Sequence, residues 1–388
     1  MRKTKKFYTN LIDKDRKYIT NLAFKRQSRT LFENAAIEVT PLTDAQKAEV
    51  DEFYMEHFGQ KVPYSTHELL TSFTGVFDVR YIPMEIYYSD IEYTFDSNRP
   101  YIHVFENKNL VPYLAKAAGV KTPDTIWDNV DGLNFDGERN FVSRDQMAEI
   151  IRSYDKIFVK PSVGTSGGTG CKIYSDIQKE NKDTRAIVDE ILAEYKANFI
   201  VQDVIKNCES LRQIHPYSLN TSRLVTYIVD GQVKHMPGIL RVGRNKMKVD
   251  NLSAGGILAS IDDNGQMGDY TFSWKYDFKS ETHPDTGFVF KDGFVKEYPK
   301  LIEAAEKMHR LLPNLKIVNW DFTIDDAGDP VLIEINGEGG SGFEMVQIGH
   351  AQGAFGDDTA HVLEITRDLN KLKKVDRDQA FALNNLWN

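Results

Sequence analysis

The chain has 388 residues, 41% of them hydrophobic, enough to bury the cores of two or three lobes. Its 48 basic residues face 57 acidic ones, a formal net charge of −9, which excludes a general nucleic-acid-binding surface and leaves any basic pocket local. Only Cys171 and Cys208 occur, which excludes a disulfide framework and fits a reducing cytoplasm; no apolar run approaches membrane-spanning length and the start lacks a signal-peptide core.

Lysine and arginine concentrate in the first 29 residues, where Arg2-Lys-Thr-Lys-Lys6 reads as a solvated terminus, with a membrane or acidic-partner contact as the alternative. Residues 1–100 read as a mainly helical N-terminal region, clearest at 43–58, where Thr43 can cap and apolar positions follow helical spacing. A linking segment over 101–150 leads to a lobe over 151–205 carrying a glycine-rich flap. A larger catalytic lobe follows over 206–355, and a C-terminal helix and tail occupy 356–388. Further helices are predicted at 184–196, 296–312 and 359–372, and the fold class is α+β. The nine histidines show no ligand spacing and none is assigned a role.

The first chemistry-bearing stretch is Lys156-Ile-Phe-Val-Lys-Pro-Ser-Val-Gly-Thr-Ser-Gly-Gly-Thr-Gly-Cys-Lys172. A short apolar strand ends at Lys160, and Gly164, Thr165, Ser166, Gly167 and Gly168 follow. Glycines let main-chain N–H groups approach an anion closely, hydroxyls add donors, and Lys160 can reach the same phosphates. Cys171 after Gly170 excludes a Walker A loop, and the G-x-G-x-x-G spacing is absent. Strand resumes at Lys172, so the segment reads as a flexible β-hairpin.

Next comes a buried strand over Phe199-Ile-Val that enters a linker through Gln202, Asp203, Val204 and Ile205, with Glu209 beyond. Main-chain groups of such a linker can hold adenine, and the carboxylate can reach ribose hydroxyls.

The most informative span is Val318-Asn-Trp-Asp-Phe-Thr-Ile-Asp-Asp-Ala-Gly-Asp-Pro-Val-Leu-Ile-Glu-Ile-Asn336, a predicted β-hairpin. With its turn centred between Ala327 and Gly328, Trp320 opposes Ile335, Phe322 opposes Ile333 and Ile324 opposes Val331 on an apolar face. The other face carries Asp321 opposite Glu334 and Asn319 opposite Asn336. Carboxylates roughly 5 Å apart on facing strands repel unless a cation sits between them. Such a pair also occurs on ordinary solvated hairpins. Two carboxylates and an amide, Asp321, Glu334 and Asn336, suit Mg²⁺, which completes its shell with phosphate and water.

In this order, the lysine strand, flap, linker strand with a later glutamate, and Asp321 followed thirteen residues on by Glu334-x-Asn336 resemble the ATP-grasp superfamily. Ser218-Leu-Asn-Thr-Ser-Arg-Leu-Val-Thr226, Leu240-Arg-Val-Gly-Arg244, Val249-Asp-Asn-Leu-Ser-Ala-Gly-Gly256 and Thr74-Gly-Val-Phe-Asp-Val-Arg-Tyr-Ile-Pro83 are similar to its sugar-transfer-associated family. The resemblance implies an ATP-grasp fold, two α+β lobes sandwiching ATP. It also implies Lys108 as a second nucleotide contact, although Asn107 stands where the superfamily has an acid. Asp203 departs from the lysine that related ligases often place beside the equivalent of Gln202.

The same resemblance gives Arg241 a catalytic role beside Lys160, since a guanidinium can hold transferring phosphoryl oxygens in a fixed fork. Arg223 and Asn251 become candidate substrate contacts, with a tight connection as the alternative for Asn251. Main-chain donors around Gly340 and Ser341, in Gly337-Glu-Gly-Gly-Ser-Gly342, could hold the acceptor or an acyl phosphate. The implied activity is an ADP-forming carboxylate–amine ligase using ATP and Mg²⁺ on small molecules in surface-polysaccharide synthesis. A small-molecule kinase and a non-catalytic ATP-binding partner of a glycosyltransferase are the rivals. Oligomeric state is not readable.

Overall fold

A computed structural model describes residues 2–95, 100–164, 168–247, 250, 252 and 255–372. Two antiparallel sheets form its frame. The smaller contains β1 (Thr125–Val130), β2 (Leu133–Asp136), β3 (Ile157–Pro161), β4 (Lys172–Tyr174) and β5 (Phe199–Asp203) in the order β2-β1-β5-β3-β4. The larger contains β6 (Thr221–Val229), β7 (Gln232–His235), β8 (Gly238–Val242), β9 (Ile257–Ile261), β10 (Met267–Phe272), β11 (Lys279–Ser280), β12 (Ile317–Ile324) and β13 (Pro330–Asn336). Its order is β11-β10-β9-β8-β6-β12-β13, with β7 paired to β6 off that path.

Periodicity explains how the helices cover these sheets. In Arg144–Arg152 the buried residues Met147, Ala148 and Ile151 recur at helical spacing, as do Ile187, Val188 and Ile191 in Thr184–Tyr195; both groups pack with Trp127, Val159 and Val201. Helix Tyr298–Leu311 lays Leu301, Ile302, Ala305 and Met308 into the core built on Val318, Trp320 and Phe322. Another core joins Val225, Tyr227 and Phe272 of the larger sheet to Phe343, Val362 and Leu363 and to the N-terminal helices.

Three readings are corrected here. β1 and β2, placed by sequence in the linking segment, are strands of the five-stranded sheet, because β1 pairs with β5 across Trp127↔Val201 and Asp128↔Ile200. The basic stretch Arg2–Lys6, read as a solvated end, opens helix Arg2–Asn34, whose later residues Phe24, Leu31 and Phe32 pack on the core, with Phe24 stacked on Tyr88 at 3.8 Å between ring centroids.

The hairpin is the third. Its tip is a three-residue loop closed by the Asp325 N–H on Asp329 O at 3.0 Å, with Gly328 at φ 84°, so the turn centres on Ala327. Phe322 therefore pairs with Leu332 and Ile324 with Pro330. A bulge then leaves Ile333 without a partner in the ladder and restores Asp321↔Glu334 and Asn319↔Asn336. The turn and the bulge offset each other, and the polar face has the expected pairs.

Candidate functional site

Asp321 and Glu334 are opposite one another, and the charge that this creates is met by side chains from four directions. β6 lies beside β12 with Arg223 opposite Asp321, and the guanidinium grips the carboxylate through Nε on Oδ1 at 2.6 Å and Nη2 on Oδ2 at 3.1 Å. From β8, Arg241 donates Nη1 to Asp321 Oδ2 at 2.9 Å and places Nη2 3.6 Å from Asp250 Oδ1. Burial alone would raise the Asp321 carboxyl; the two arginines outweigh it and hold it below the usual range. Asp250, hydrogen-bonded by the Thr221 hydroxyl, is raised by its burial.

Lys108 closes the other end of the face, its ammonium 2.9 Å from Glu334 Oε1. Its backbone is pinned to the end of β3 by its N–H on Ser162 O at 3.0 Å. Lys160 reaches over from β3 and donates to Ile333 O at 3.4 Å, the carbonyl of the bulged residue. The side chain is 5% exposed, and burial, opposed by Glu334 and reinforced by Lys108, pushes its ammonium down to about 8.

Lys108, Lys160, Gln202, Leu332 and Ile333 line a cleft between the two sheets. Gln202 donates Nε2 to Pro123 O at 3.2 Å, while its buried Oε1 has no hydrogen-bond partner. On the polar face, both amide atoms of Asn319 and Nδ2 of Asn336 are likewise buried and unsatisfied. Buried polar atoms are nearly always paired, so Gln202 Oε1 in the cleft and the three amide atoms on the hairpin's polar face are candidate ligand contacts. Four cations against three carboxylates (Asp250, Asp321, Glu334) leave that place with an excess of positive side chains, which suits a polyphosphate. Among the described residues, no group of three or more His, Cys, Asp or Glu side chains is disposed for a metal, so an ion here would rest on two carboxylates, an amide and ligand oxygens.

The remaining sequence-singled residues divide. Gly164 and Gly168 both have left-handed backbone, at φ 72° and 75°, in the connection between β3 and β4; Thr165, Ser166, Gly167 and Asn251 lie outside the described residues. At the end of β5, the Val204 N–H is taken by Asp203 Oδ1 at 2.7 Å, and Ile205 follows in the segment leading to helix Glu209–Ile214. Glu209 is on the surface, bonded to Arg212 and Gln213 of its own helix, and does not line the cleft.

Gly340 and Ser341 belong to the connection leaving β13, and Gly340 packs so closely on Asn319 that an added Cβ would lie 2.3 Å from its Cγ. Two main-chain donors of this connection are in use: Gly337 N–H bonds Glu106 Oε1 at 2.8 Å and Gly339 N–H bonds Glu92 Oε1 at 3.0 Å. Asp250, Glu92 and Glu106 were not singled out from the sequence. Asp250 was legible in principle, one residue before Asn251; the two glutamates are more than 200 positions from the loop that they touch.

Comparison with known proteins gives one family match: a model described as sugar-transfer-associated ATP-grasp covers residues 89–362. No curated protein matches the sequence. Among solved structures, D-alanyl-alanine synthetase A from Vibrio cholerae is similar at 12% identity and a TM-score of 0.40, over 68% of this chain and 65% of that one. Biotin carboxylase from Campylobacter jejuni is similar at 13% identity and a TM-score of 0.39, over 68% and 46%. D-alanine–D-alanine ligase from Bacillus anthracis is similar at 16% identity and a TM-score of 0.36, over 74% and 71%. The chain spans about half the length of two of the solved structures it matches, 51% of N5-carboxyaminoimidazole ribonucleotide synthetase and 46% of biotin carboxylase.

Proposed function

Because the chain belongs to the sugar-transfer-associated ATP-grasp family and has its α+β fold, we propose that it is an ATP-dependent carboxylate–amine ligase that forms ADP and phosphate. The observation that supports this best is the set of cations, Lys108, Lys160, Arg223 and Arg241, gathered on the polar face of one hairpin between the two sheets. In this reading Lys160 and Lys108 hold the phosphates of ATP, together with the flap from Gly164 to Gly168. The base lies against Gln202 and the linker Asp203, Val204 and Ile205. Glu209 takes part in ribose binding only if the linker brings it inward.

Asp321, Glu334 and Asn336 are the residues that would hold Mg²⁺. When bound, the ion would supply charge neutralisation for the phosphates. A substrate carboxylate oxygen then forms a bond to the γ-phosphorus as the bond to the β–γ bridging oxygen breaks, giving an acyl phosphate and ADP. A neutral amine nitrogen next bonds to the acyl carbon as the bond to phosphate breaks, and the proton that it loses leaves with the phosphate. Arg241 stabilises the transferring phosphoryl group, and Arg223, Asn251, Gly340 and Ser341 contact the acid or acceptor. Positioning and electrostatics carry both steps, so no enzyme nucleophile is required.

The family context supports small-molecule substrates in surface-polysaccharide synthesis and a cytoplasmic setting. Among the described residues no helix is long and apolar enough to cross a membrane. The test is Mg·ATP turnover with pooled carboxylic acids and hydroxylamine. Hydroxamate formed together with ADP supports an acyl phosphate; ADP without hydroxamate from any acid counts against the ligase reading.

A further inference from the structure

Charge is unevenly placed along this chain. Helix Arg2–Asn34 carries ten lysines and arginines against three acids, a net charge of +7, whereas the rest of the chain carries −16 within the total of −9. At 1.5 Å per residue, its 33 residues extend for roughly 50 Å. The complement of a basic rod of that length is an extended anionic surface.

Helical spacing separates its faces. Lys17, Asn21 and Phe24 recur at intervals of four and three and turn inward. Lys17 Nζ lies 2.6 Å from Asp90 Oδ1, Asn21 Nδ2 donates to the Ser89 hydroxyl at 3.0 Å, and Phe24 packs on the core. The residue after each, Tyr18, Leu22 and Lys25, lies about 100° further round the helix, in line with Arg29. Ile19 and Arg26 complete this outward face. Tyr18 is 66% exposed, Ile19 65% and Leu22 49%, and Lys25, Arg26 and Arg29 are exposed beside them. Arg29 has Glu33 at 3.9 Å one turn on, with both side chains largely in water.

Single exposed apolar side chains are ordinary; three within five positions, bordered by lysine and arginine, form a patch. A soluble polyanion such as a nucleic acid would meet the charges and leave Ile19 and Leu22 in water. A bilayer with anionic headgroups meets both, because apolar side chains enter the boundary between headgroups and acyl chains while basic groups reach the phosphates. Among the described residues no helix is long and apolar enough to cross a membrane, so the contact is peripheral.

We propose that the outward face of helix Arg2–Asn34 docks the protein on an anionic lipid bilayer. The helix lies along the surface with Tyr18, Ile19 and Leu22 inserted and Lys25, Arg26 and Arg29 against lipid phosphates. The acidic remainder of the chain is repelled by the same surface, which fixes the orientation. Docking does not rest on the ligase reading. It bears on the site through Arg16 of the same helix, which lies 3.6 Å from Glu338 in the connection leaving β13 and so holds that connection near the bilayer.

The experiment is co-sedimentation of the full chain with vesicles of phosphatidylcholine alone and of phosphatidylcholine mixed with phosphatidylglycerol. Binding to the mixed vesicles is expected to be at least tenfold tighter, and to weaken at least tenfold as salt rises from about 0.1 to about 1 M. Lys25→Glu, Arg26→Glu and Arg29→Glu combined should remove it. So should Tyr18→Ser, Ile19→Ser and Leu22→Ser combined, which keep every charge. All six side chains are exposed, so both variants should melt as the parent does. Equal binding to the two kinds of vesicle, or binding to neither, would overturn the assignment. Binding to mixed vesicles that survives the serine substitutions would mark a charge-only contact with any polyanion and overturn it equally.

Discussion

Arg223 and Asp321 are backbone partners across β6 and β12, and their side chains meet again in a two-point contact at 2.6 and 3.1 Å. Arg241 binds the same carboxylate from β8. Asp321 thus pairs with two nearly buried guanidinium groups, one of which also faces Asp250, whereas Glu334 pairs with one lysine and keeps 28% of its side chain exposed.

The two carboxylates should separate in stability while failing alike in turnover. Asp321→Asn leaves two buried guanidinium groups short of a partner and should cost about 3 kcal/mol in urea unfolding. Glu334→Gln removes one partly exposed ion pair and should cost no more than about 1 kcal/mol. Both should abolish ATP turnover. Equal stability losses would show that the arginines do not depend on Asp321.

Lys160 should weaken the fold that it serves. Its folded value, about 8, is below the 10.5 of an ordinary lysine, so between those values the unfolded chain binds more protons and stability rises with pH. Below about pH 8 the charged form carries its full destabilising effect, on the order of 3 kcal/mol. Lys160→Met should therefore be more stable than the parent at pH 7, lose the rise in stability between pH 8 and 10.5, and lose ATP binding. A variant less stable than the parent at pH 7 would contradict the assignment.

Gly340 and Gly339 differ in their surroundings. An added Cβ at Gly340 meets Asn319 at 2.3 Å, whereas nothing lies within 4 Å of one at Gly339, whose φ of 70° imposes only backbone strain. Gly340→Ala should displace Asn319 from the polar face and reduce turnover at least tenfold; Gly339→Ala should cost about 1 kcal/mol of stability with turnover nearly intact. Steady-state rates and thermal melts of the pair check this.

Gln202 tests the base end of the cleft. Gln202→Leu removes the bond from Nε2 to Pro123 O but also the unpaired Oε1, so the two effects should largely offset and stability should change by no more than about 1 kcal/mol. If that oxygen accepts from the adenine amino group, ATP affinity should fall by roughly tenfold while GTP affinity does not, as direct nucleotide titrations would reveal.

Alternation and turn residues made the β12–β13 hairpin legible, because side-chain direction along a strand follows from spacing alone. The bulge at Ile333 was not legible, since period-two reasoning has no signal for one extra residue; the expected pairs at Asp321 and Asn319 hold only because a shorter turn shifts the register the other way. Lys160 could be found from its place at a strand end before glycines. The grip of Arg223 and Arg241 on Asp321 could not, because it depends on β6 and β8 lying beside β12 in the sheet. The N-terminal region was read as mainly helical and Arg2–Lys6 as a solvated end, but where the long helix lies shows only in its packing through Phe24, Leu31 and Phe32.

The central claim is that the phosphates of ATP lie between the two sheets beside Lys160 and Lys108. An acyl-phosphate derivative of ATP transfers its acyl group to lysines next to the terminal phosphate, and peptide mapping identifies them without knowledge of the acid or amine. The account predicts acylation of Lys160 and Lys108, suppressed by excess Mg·ATP. Acylation confined to other lysines, or labelling of these two that Mg·ATP does not suppress, would contradict it.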